Sequence, residues 1–539
     1  MGGRKKVLLI TSRLAHPVVK EVVDKAIREG RINYDAEVLA LPIDVAALMT
    51  TDYIADYLRR LNISSRDYDV IVVPGLARGS CRIIEDVVGI KAVKGTIYAS
   101  DIPALLTFDL SKLSSDEAAD RVVKEYLRSS AAELLARIEN EVPKRKHLRI
   151  GNVLVPTQPP PMRVIAEVTE AHLLSKDALL KRVLKLIEEG ADMVSVGFEA
   201  GNPHPDKVGE VVKFLKREVA APIAIDTVIP SEILEGVKAG ADLVLSLTRE
   251  NIPKVAEVLG NVAAVVIPQG DSGVPSDPLR RPQVLEDNIA LARKYGVENI
   301  IADLILDPPG SGTTLKSLIS YYEFKQKHPE VPILMGIGNV AEFIDADSVG
   351  VNALLTILAL EVGASLLLTV EKSTKAQGST LEVATASQMA SIAWVRESPP
   401  KDLGIDLLIL KDKTRVAIPL TVDREVRVIN VGGEVSEELR HTGLDPMGIF
   451  KIRVNYDDEV IEALYVGRKG RILIRGKNAK SILNYILENK LVSKLSHAAY
   501  LGSELTKAEE ALRIHKNYVQ EEPLFKEKKY LRPGARKLK

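Results

Sequence analysis

The chain has 539 residues, 46% hydrophobic and 27% charged, the profile of a globular protein with ample apolar surface to bury. That length exceeds what one hydrophobic core supports, so two or three domains are expected. Lysine plus arginine balances aspartate plus glutamate at 73 each, so no net field draws the protein to nucleic acid or an anionic membrane; the lone cysteine, Cys81, excludes a disulfide framework and a four-cysteine metal or iron–sulfur site.

The N-terminus, Met1–Ser12, starts basic but carries only a short apolar run, Val7–Ile10, too little for a signal peptide. No apolar stretch reaches the length of a membrane span, and a cytoplasmic location is expected. A strand-like run, Lys6–Thr11, is followed by an amphipathic helical pattern from about His16 to Glu29. Further strands are expected at Tyr68–Gly75 and Thr96–Ala99 and a helix at Ser115–Asn140, so residues 1–145 read as a small open α/β domain of Rossmann-like type. Its turn Gly75–Cys81 lies where such sheets bind ligands, but without a GxGxxG or P-loop pattern it reads first as an ordinary connection. Residues 146–162, with Pro159, Pro160 and Pro161, read as an extended linker.

Between Arg163 and Ser373 apolar, β-branched runs alternate with helical patterns: Val164–Val168, Met193–Gly197, Pro222–Asp226, Leu243–Leu247, Ala264–Pro268, Ile300–Asp307, Pro332–Gly336 and Ser365–Val370. Glycines that end helices introduce several of them, as in Gly190-Ala-Asp192, Gly240-Ala-Asp242 and Gly363-Ala364. Eight strand–helix units in about 210 residues predict a parallel (β/α)₈ TIM barrel over residues 163–390, with a doubly wound open sheet as the alternative. After Ser398-Pro-Pro400 shorter strands at Arg415–Leu420, Glu425–Val431 and Gly448–Arg453, then a helix-rich part from Asn478 to Tyr518, predict an α+β domain over residues 400–539. The basic stretch Lys526–Lys539 reads as a solvated tail.

Chemistry in such a barrel sits at the C-terminal strand ends. The polar residues there are Glu167 and Thr169; Glu199 and Asn202; Asp226 and Thr227; Ser246 and Thr248; Gln269 and Asp271; Asp303 and Asp307; Asn339; and Thr369 and Glu371. Acidic and amide groups crowd this rim, with almost no basic residue before Lys372 and Lys375. Such a rim suits a neutral ligand presenting adjacent N–H donors, because a buried carboxylate accepts two of them in a paired geometry. Asp226 and Asp307, closing the third and sixth runs, are the first candidates; Asp303, four residues earlier on the sixth run and so on the same strand face, competes with Asp307. Each also reads as a cap or turn residue. His172 and His204 lie near the rim without an HExxH or compact ligand pattern and read as surface or capping residues, so no metal ligands are assigned. No GxSxG elbow supports a serine triad.

Gly190-Ala-Asp-Met-Val-Ser-Val-Gly-Phe-Glu199, Pro222-Ile-Ala-Ile-Asp-Thr227 and Ile305-Leu-Asp-Pro-Pro-Gly-Ser-Gly312 resemble the second-, third- and sixth-strand motifs of dihydropteroate synthases and the wider pterin-binding barrel superfamily. The resemblance implies that Asp226 and Asp307 hold a pterin ring, with Glu199 and Asn202 near the reacting face. With a domain on either side of the barrel, the whole chain resembles archaeal dihydropteroate synthase-related proteins. That implies a transferase in folate or tetrahydromethanopterin biosynthesis, joining hydroxymethyl-dihydropterin diphosphate to an aminobenzene acceptor, with Mg²⁺ as a companion of the diphosphate. The segment His497–Glu509 resembles a small uncharacterised family.

The departures are specific. The seventh-strand lysine of the synthases is absent from Gly336-Ile-Gly-Asn-Val340, and their eighth-strand arginine and histidine are absent from Leu367–Glu371. Glu167 and Ser246 stand where the synthases have asparagines. Expulsion of diphosphate needs cationic or metal stabilisation, which leaves Lys316, Lys372, Lys375 or the first domain to supply it. Barrel methyltransferases that pass a methyl group from a tetrahydropterin to a corrinoid place an asparagine after the seventh strand, which Asn339 matches. Methyl transfer with a corrinoid partner is therefore the alternative, and a non-catalytic pterin carrier or sensor is a third reading. Barrels of this type often pair through their outer helices, so a homodimer stays open.

Overall fold

The structure is a computed structural model that describes residues 4–30, 32–199, 201–401, 403–411 and 445–525. The strands expected at 415–420 and 425–431 and the basic tail 526–539 lie outside the described residues.

Lys6–Ser12, Asp35–Leu41, Val70–Val73 and Lys91–Lys94 form an all-parallel sheet in which the second strand and the third flank the first. Both faces are covered, so the two central strands are apolar along their paired residues and alternate between two cores. Val7, Leu9, Val70 and Val72 face one core; Leu8, Ile10, Ile71 and Val73 face the other. The last strand lies at Lys91–Lys94, ahead of the run expected at 96–99, which instead leads into a short 3₁₀ turn, Ala99–Asp101. The long helix Asp120–Glu141 packs through Ala131, Leu134 and Leu135 against Ile392 and Ala393 of the helix Ser379–Val395.

Residues 146–162, expected to be a linker, fold. His147–Ile150 and Val153–Pro156 pair as an antiparallel hairpin that turns at Gly151, where φ is +55°. Ile150 and Val155 are buried among Ile165, Met193, Ala224, Leu243, Ala263, Leu334 and Leu366, which begin or lie low on the barrel strands. The hairpin therefore stoppers the lower end of the barrel. Lys325 pins it there, donating to the carbonyls of Thr157 (2.6 Å) and Val331 (2.8 Å).

The barrel strands are Arg163–Val168, Met193–Gly197, Ile223–Asp226, Leu243–Leu247, Ala263–Val266, Ile300–Ala302, Leu334–Gly336 and Leu366–Val370. Neighbours pair in parallel around the sheet, the eighth strand with the first, and a bridge from Ala302 to Ile333 joins the sixth to the seventh. Ring closure excludes the open doubly wound alternative. The Gly-Ala-Asp repeats have a local cause: Gly190 and Gly240 adopt φ of +104° and +102° after their helices, a conformation glycine enters without Cβ strain. The aspartates then accept from the neighbouring strand, Asp192 from the amide of Val164 and Asp242 from that of Ile223, both at 2.8 Å. Arg163 forms a two-pronged ion pair with Glu139 of the long helix, both bonds at 2.8 Å.

The C-terminal module is α+β, as expected. Gly448–Asn455, Val460–Gly467 and Gly470–Gly476 form an antiparallel meander. The helices Ala479–Glu488 and Leu495–Arg513 bury Ile482, Ile486, Leu501 and Leu505 against Phe450, Ile452, Ala463 and Tyr465.

Candidate active site at the barrel mouth

Asp226 ends the third strand, in register with Gly197 on one side and Leu245 on the other. The fourth strand is irregular after Val244, and Ser246 takes φ +74° there, which turns its hydroxyl to donate to Asp226. Burial pushes the Asp226 carboxyl above the usual carboxylate range, against that hydrogen bond.

Asp303 stands just past the sixth strand, where its amide continues the ladder to the carbonyl of Val266 (3.0 Å). Burial raises its pKa to about 6, opposed by donors from the Tyr321 hydroxyl and the Ile305 amide and reinforced by the charge of Asp226. Asp226 and Asp303 are thus two acids of the mouth that burial holds above the usual carboxylate range. The same Asp303 oxygen accepts from Ile305 N (2.8 Å) and from the hydroxyl of Tyr321, a fully buried residue on the helix Thr314–Lys327.

Asp307 is placed otherwise. The sixth strand ends at Ala302, and Ile305 has φ +65°, rare for a β-branched residue, so Asp303 and Asp307 do not share a strand face as expected. Asp307 is buried and held by Arg281 at 2.7 Å and by the hydroxyl of Thr313. Its amide donates to Ser317 Oγ (3.2 Å). Arg281 also donates to the carbonyl of Ile305 (2.7 Å), the residue carrying the unusual φ. Asn339, exposed on the short helix Gly338–Ala341, donates to the carbonyl of Leu306 (3.1 Å) and ties the seventh strand to this connection.

The remaining expected residues spread around the rim. Glu167 lies across Gly197: a Cβ added there would sit 2.4 Å from its carboxylate oxygen. Glu199 and Asn202 are exposed and bonded to each other at 3.2 Å. Lys316 is half-exposed and 3.6 Å from Asp277, while Lys375 pairs with Asp345 at 2.9 Å. Beside Asp226, the Thr227 hydroxyl donates to Glu232, whose other oxygen accepts from the His204 amide at 2.8 Å; Glu232 is fully buried.

Arg281 and Tyr321 escaped the reading of strand ends because both come from helices. The pair Arg281-Pro282, at the start of a helix after a long loop from the fifth strand, was the available signal.

The chain matches the family "Pterin binding enzyme" over residues 167–369, a family of unknown function (DUF6513) over 5–96, and the family PterinBD-DUF4346 over 444–521. It is 35% identical over 535 residues to an uncharacterised protein of Methanocaldococcus jannaschii, covering 96% of this chain and 99% of that one. It is 29% identical over 149 residues to the dihydropteroate synthase of Bacillus subtilis, 25% of this chain and 51% of that enzyme. With the Clostridium beijerinckii dihydropteroate synthase it shares 27% over 180 residues, 30% of this chain and 65% of that enzyme. Among solved structures, a Xanthomonas albilineans dihydropteroate synthase in complex with 7,8-dihydropteroate is similar at 22% identity and TM-score 0.37, covering 47% of this chain and all of that one. The Yersinia pestis enzyme is similar at 17% and TM-score 0.37, with the same coverage. Residues 167–369 therefore belong to the pterin-binding enzyme family, and the whole chain belongs to one family with the Methanocaldococcus protein, which it matches from end to end.

Proposed function

We propose that the protein is a transferase acting on a pterin, joining hydroxymethyl-dihydropterin diphosphate to an aminobenzene acceptor on the way to a folate-like or tetrahydromethanopterin-like carrier. The observation that carries this reading is the placement of two acids at the barrel mouth, Asp226 ending the third strand and Asp303 just past the sixth, with Ser246 and Tyr321 donating to them. An aminopyrimidinone edge offers adjacent N–H and NH₂ donors, and two carboxylates that repel one another gain by receiving them. Asp226 and Asp303 take the ring edge in this scheme. Asp307, neutralised by Arg281, shapes the connection above it, a different division of labour from the Asp226–Asp307 pair that the sequence motifs imply.

Glu167, across Gly197, offers an oxygen donor of the kind Mg²⁺ prefers, so it is the residue that would meet a Mg²⁺ carried on the diphosphate. That ion would neutralise charge on the leaving oxygens. Ser246 fixes Asp226, and Lys316 is the rim cation nearest in sequence to the Asp307 connection. A second reading, methyl transfer from a methyl-tetrahydropterin to a corrinoid or other acceptor, is favoured by Asn339, exposed and aimed at the Leu306 carbonyl beside Asp307.

Calorimetric titration tests the proposal, using the diphosphate with and without Mg²⁺, a methylated tetrahydropterin, and Asp226→Asn. The synthase reading expects the diphosphate to bind with Mg²⁺ dependence and to lose roughly tenfold or more in affinity in the variant. Affinity should also weaken as pH falls below about 6, where Asp303 takes a proton. Preference for the methylated pterin moves the case to methyl transfer, and binding of neither overturns the pterin assignment.

A further inference from the structure

The first βα connection brings His172 beside Glu199 and His204 of the second. One ligating atom from each of His172, Glu199 and His204 lies within 4.8 Å of the other two. His204 Nε2 is 3.7 Å from a Glu199 oxygen, and the His172 ring stacks on His204 with centroids 5.0 Å apart. A tetrahedral ion with bonds of about 2.0–2.1 Å sets its ligands roughly 3.3 Å apart, so small side-chain rotations close the set. The sequence showed no compact ligand pattern because the residues come from two connections.

A second observation points the same way. His172 Nδ1 is buried and has no hydrogen-bond partner among the described residues, a state that costs free energy unless something fills the vacancy in its bonding. The surroundings are also built. Phe198 also stacks on the His172 ring, and the buried Glu232 fixes the His204 backbone while accepting from Thr227, the residue after Asp226.

We propose that His172, Glu199 and His204 bind a divalent transition-metal ion of the zinc class at the barrel rim, with an open coordination position that takes an anionic oxygen. Two imidazoles and one carboxylate suit Zn²⁺, Co²⁺ or Mn²⁺ and are a poor set for Mg²⁺, which demands oxygen ligands. The role of the open position rests on the transferase reading. Arg281 is committed to Asp307 and Lys316 faces Asp277, so a metal here is a source of positive charge for a phosphate oxygen at the mouth. The metal site itself does not depend on that reading.

The test uses the full chain, stripped with a chelator and titrated with Co²⁺, followed by ligand-field absorption. One Co²⁺ per chain should bind, displaced by Zn²⁺ and not by excess Mg²⁺. His172→Ala and His204→Gln should each weaken binding by roughly a hundredfold, since each removes one protein ligand. Both residues are only half-buried in connecting segments, and an unchanged circular dichroism melt will confirm that the variants fold. Absence of a ligand-field spectrum in the wild type, or full binding in both variants, overturns the proposal. A parallel titration with inorganic pyrophosphate, with and without Zn²⁺, should show at least a tenfold gain when zinc is present. If Co²⁺ binds through the histidines while no pterin binds, the metal site stands and the transferase reading falls. If zinc binds without strengthening pyrophosphate, the role of the open position is wrong.

Discussion

Asp303 holds its carboxyl in a place that favours the protonated form, chiefly through burial, and its pKa rises to about 6. An unfolded aspartate titrates near 3.9, so between about pH 4 and 6 the native state binds more protons than the unfolded state and stability falls as pH rises. The deficit is complete above pH 6. Asp303→Asn should therefore raise unfolding stability by up to about 3 kcal/mol at pH 7.5 and by little at pH 3.5, while weakening pterin binding. Urea unfolding at the two pH values checks it, and an equal gain at both would sink the electrostatic account. Cys81 is the contrasting case: burial raises its thiol to about 11, so it is an inert core residue.

At the scale of elements, the connection Asp303–Thr313 is held less by its own chain than by the helix beginning at Arg281, whose guanidinium joins Asp307 to the Ile305 carbonyl. Arg281→Met leaves Asp307 buried without its counter-charge and should cost about 3 kcal/mol or more in denaturant unfolding. Arg281→Met combined with Asp307→Leu should recover much of that loss. If the double variant is as unstable as the single one, the guanidinium acts through Ile305 alone.

Much of this architecture was legible in the sequence because barrel strands are short, fully buried and punctuated by glycine. The runs Met193–Gly197 and Leu243–Leu247 match their strands end for end. The sixth was read too long because the apolar residues Leu304 and Leu306 remain buried beyond the strand, one on either side of a left-handed turn at Ile305. Periodicity cannot distinguish a buried turn from a buried strand. The hairpin at 147–156 was missed because the following prolines dominated the reading, although Leu148, Ile150, Val153 and Val155 alternate as a strand pair should. Asp226, Asp303 and Asp307 were legible as candidate acids; that Arg281 claims Asp307 and Tyr321 donates to Asp303 depended on the turn at Ile305 and on two helices.

At the scale of the whole molecule, the chain contains modules whose stability answers to different groups. In the C-terminal module Asp445 is almost fully buried and accepts from the amides of Met447, Ser493 and Lys494 and from the Ser493 hydroxyl. His497 lies 3.1 Å away. Although burial opposes it, these donors hold its pKa far below the ordinary range, so its contribution is complete above about pH 4 and is lost as pH falls further. Asp445→Asn should destabilise this module by roughly 2 kcal/mol. Hydrogen exchange should then quicken across 448–513 and leave the barrel strands unchanged; a uniform change would mean that the two do not unfold separately. No helix among the described residues is long and apolar enough to cross a membrane.

The stoppered lower end of the barrel has a consequence for traffic. With the strand layer below Asp226 packed by Ile165, Met193, Ala224 and Leu243 and closed beneath by Ile150 and Val155, anything bound at Asp226 has to enter and leave by the rim. The ten residues of hairpin serve this one-sided design by keeping water from the apolar base of the strand layer.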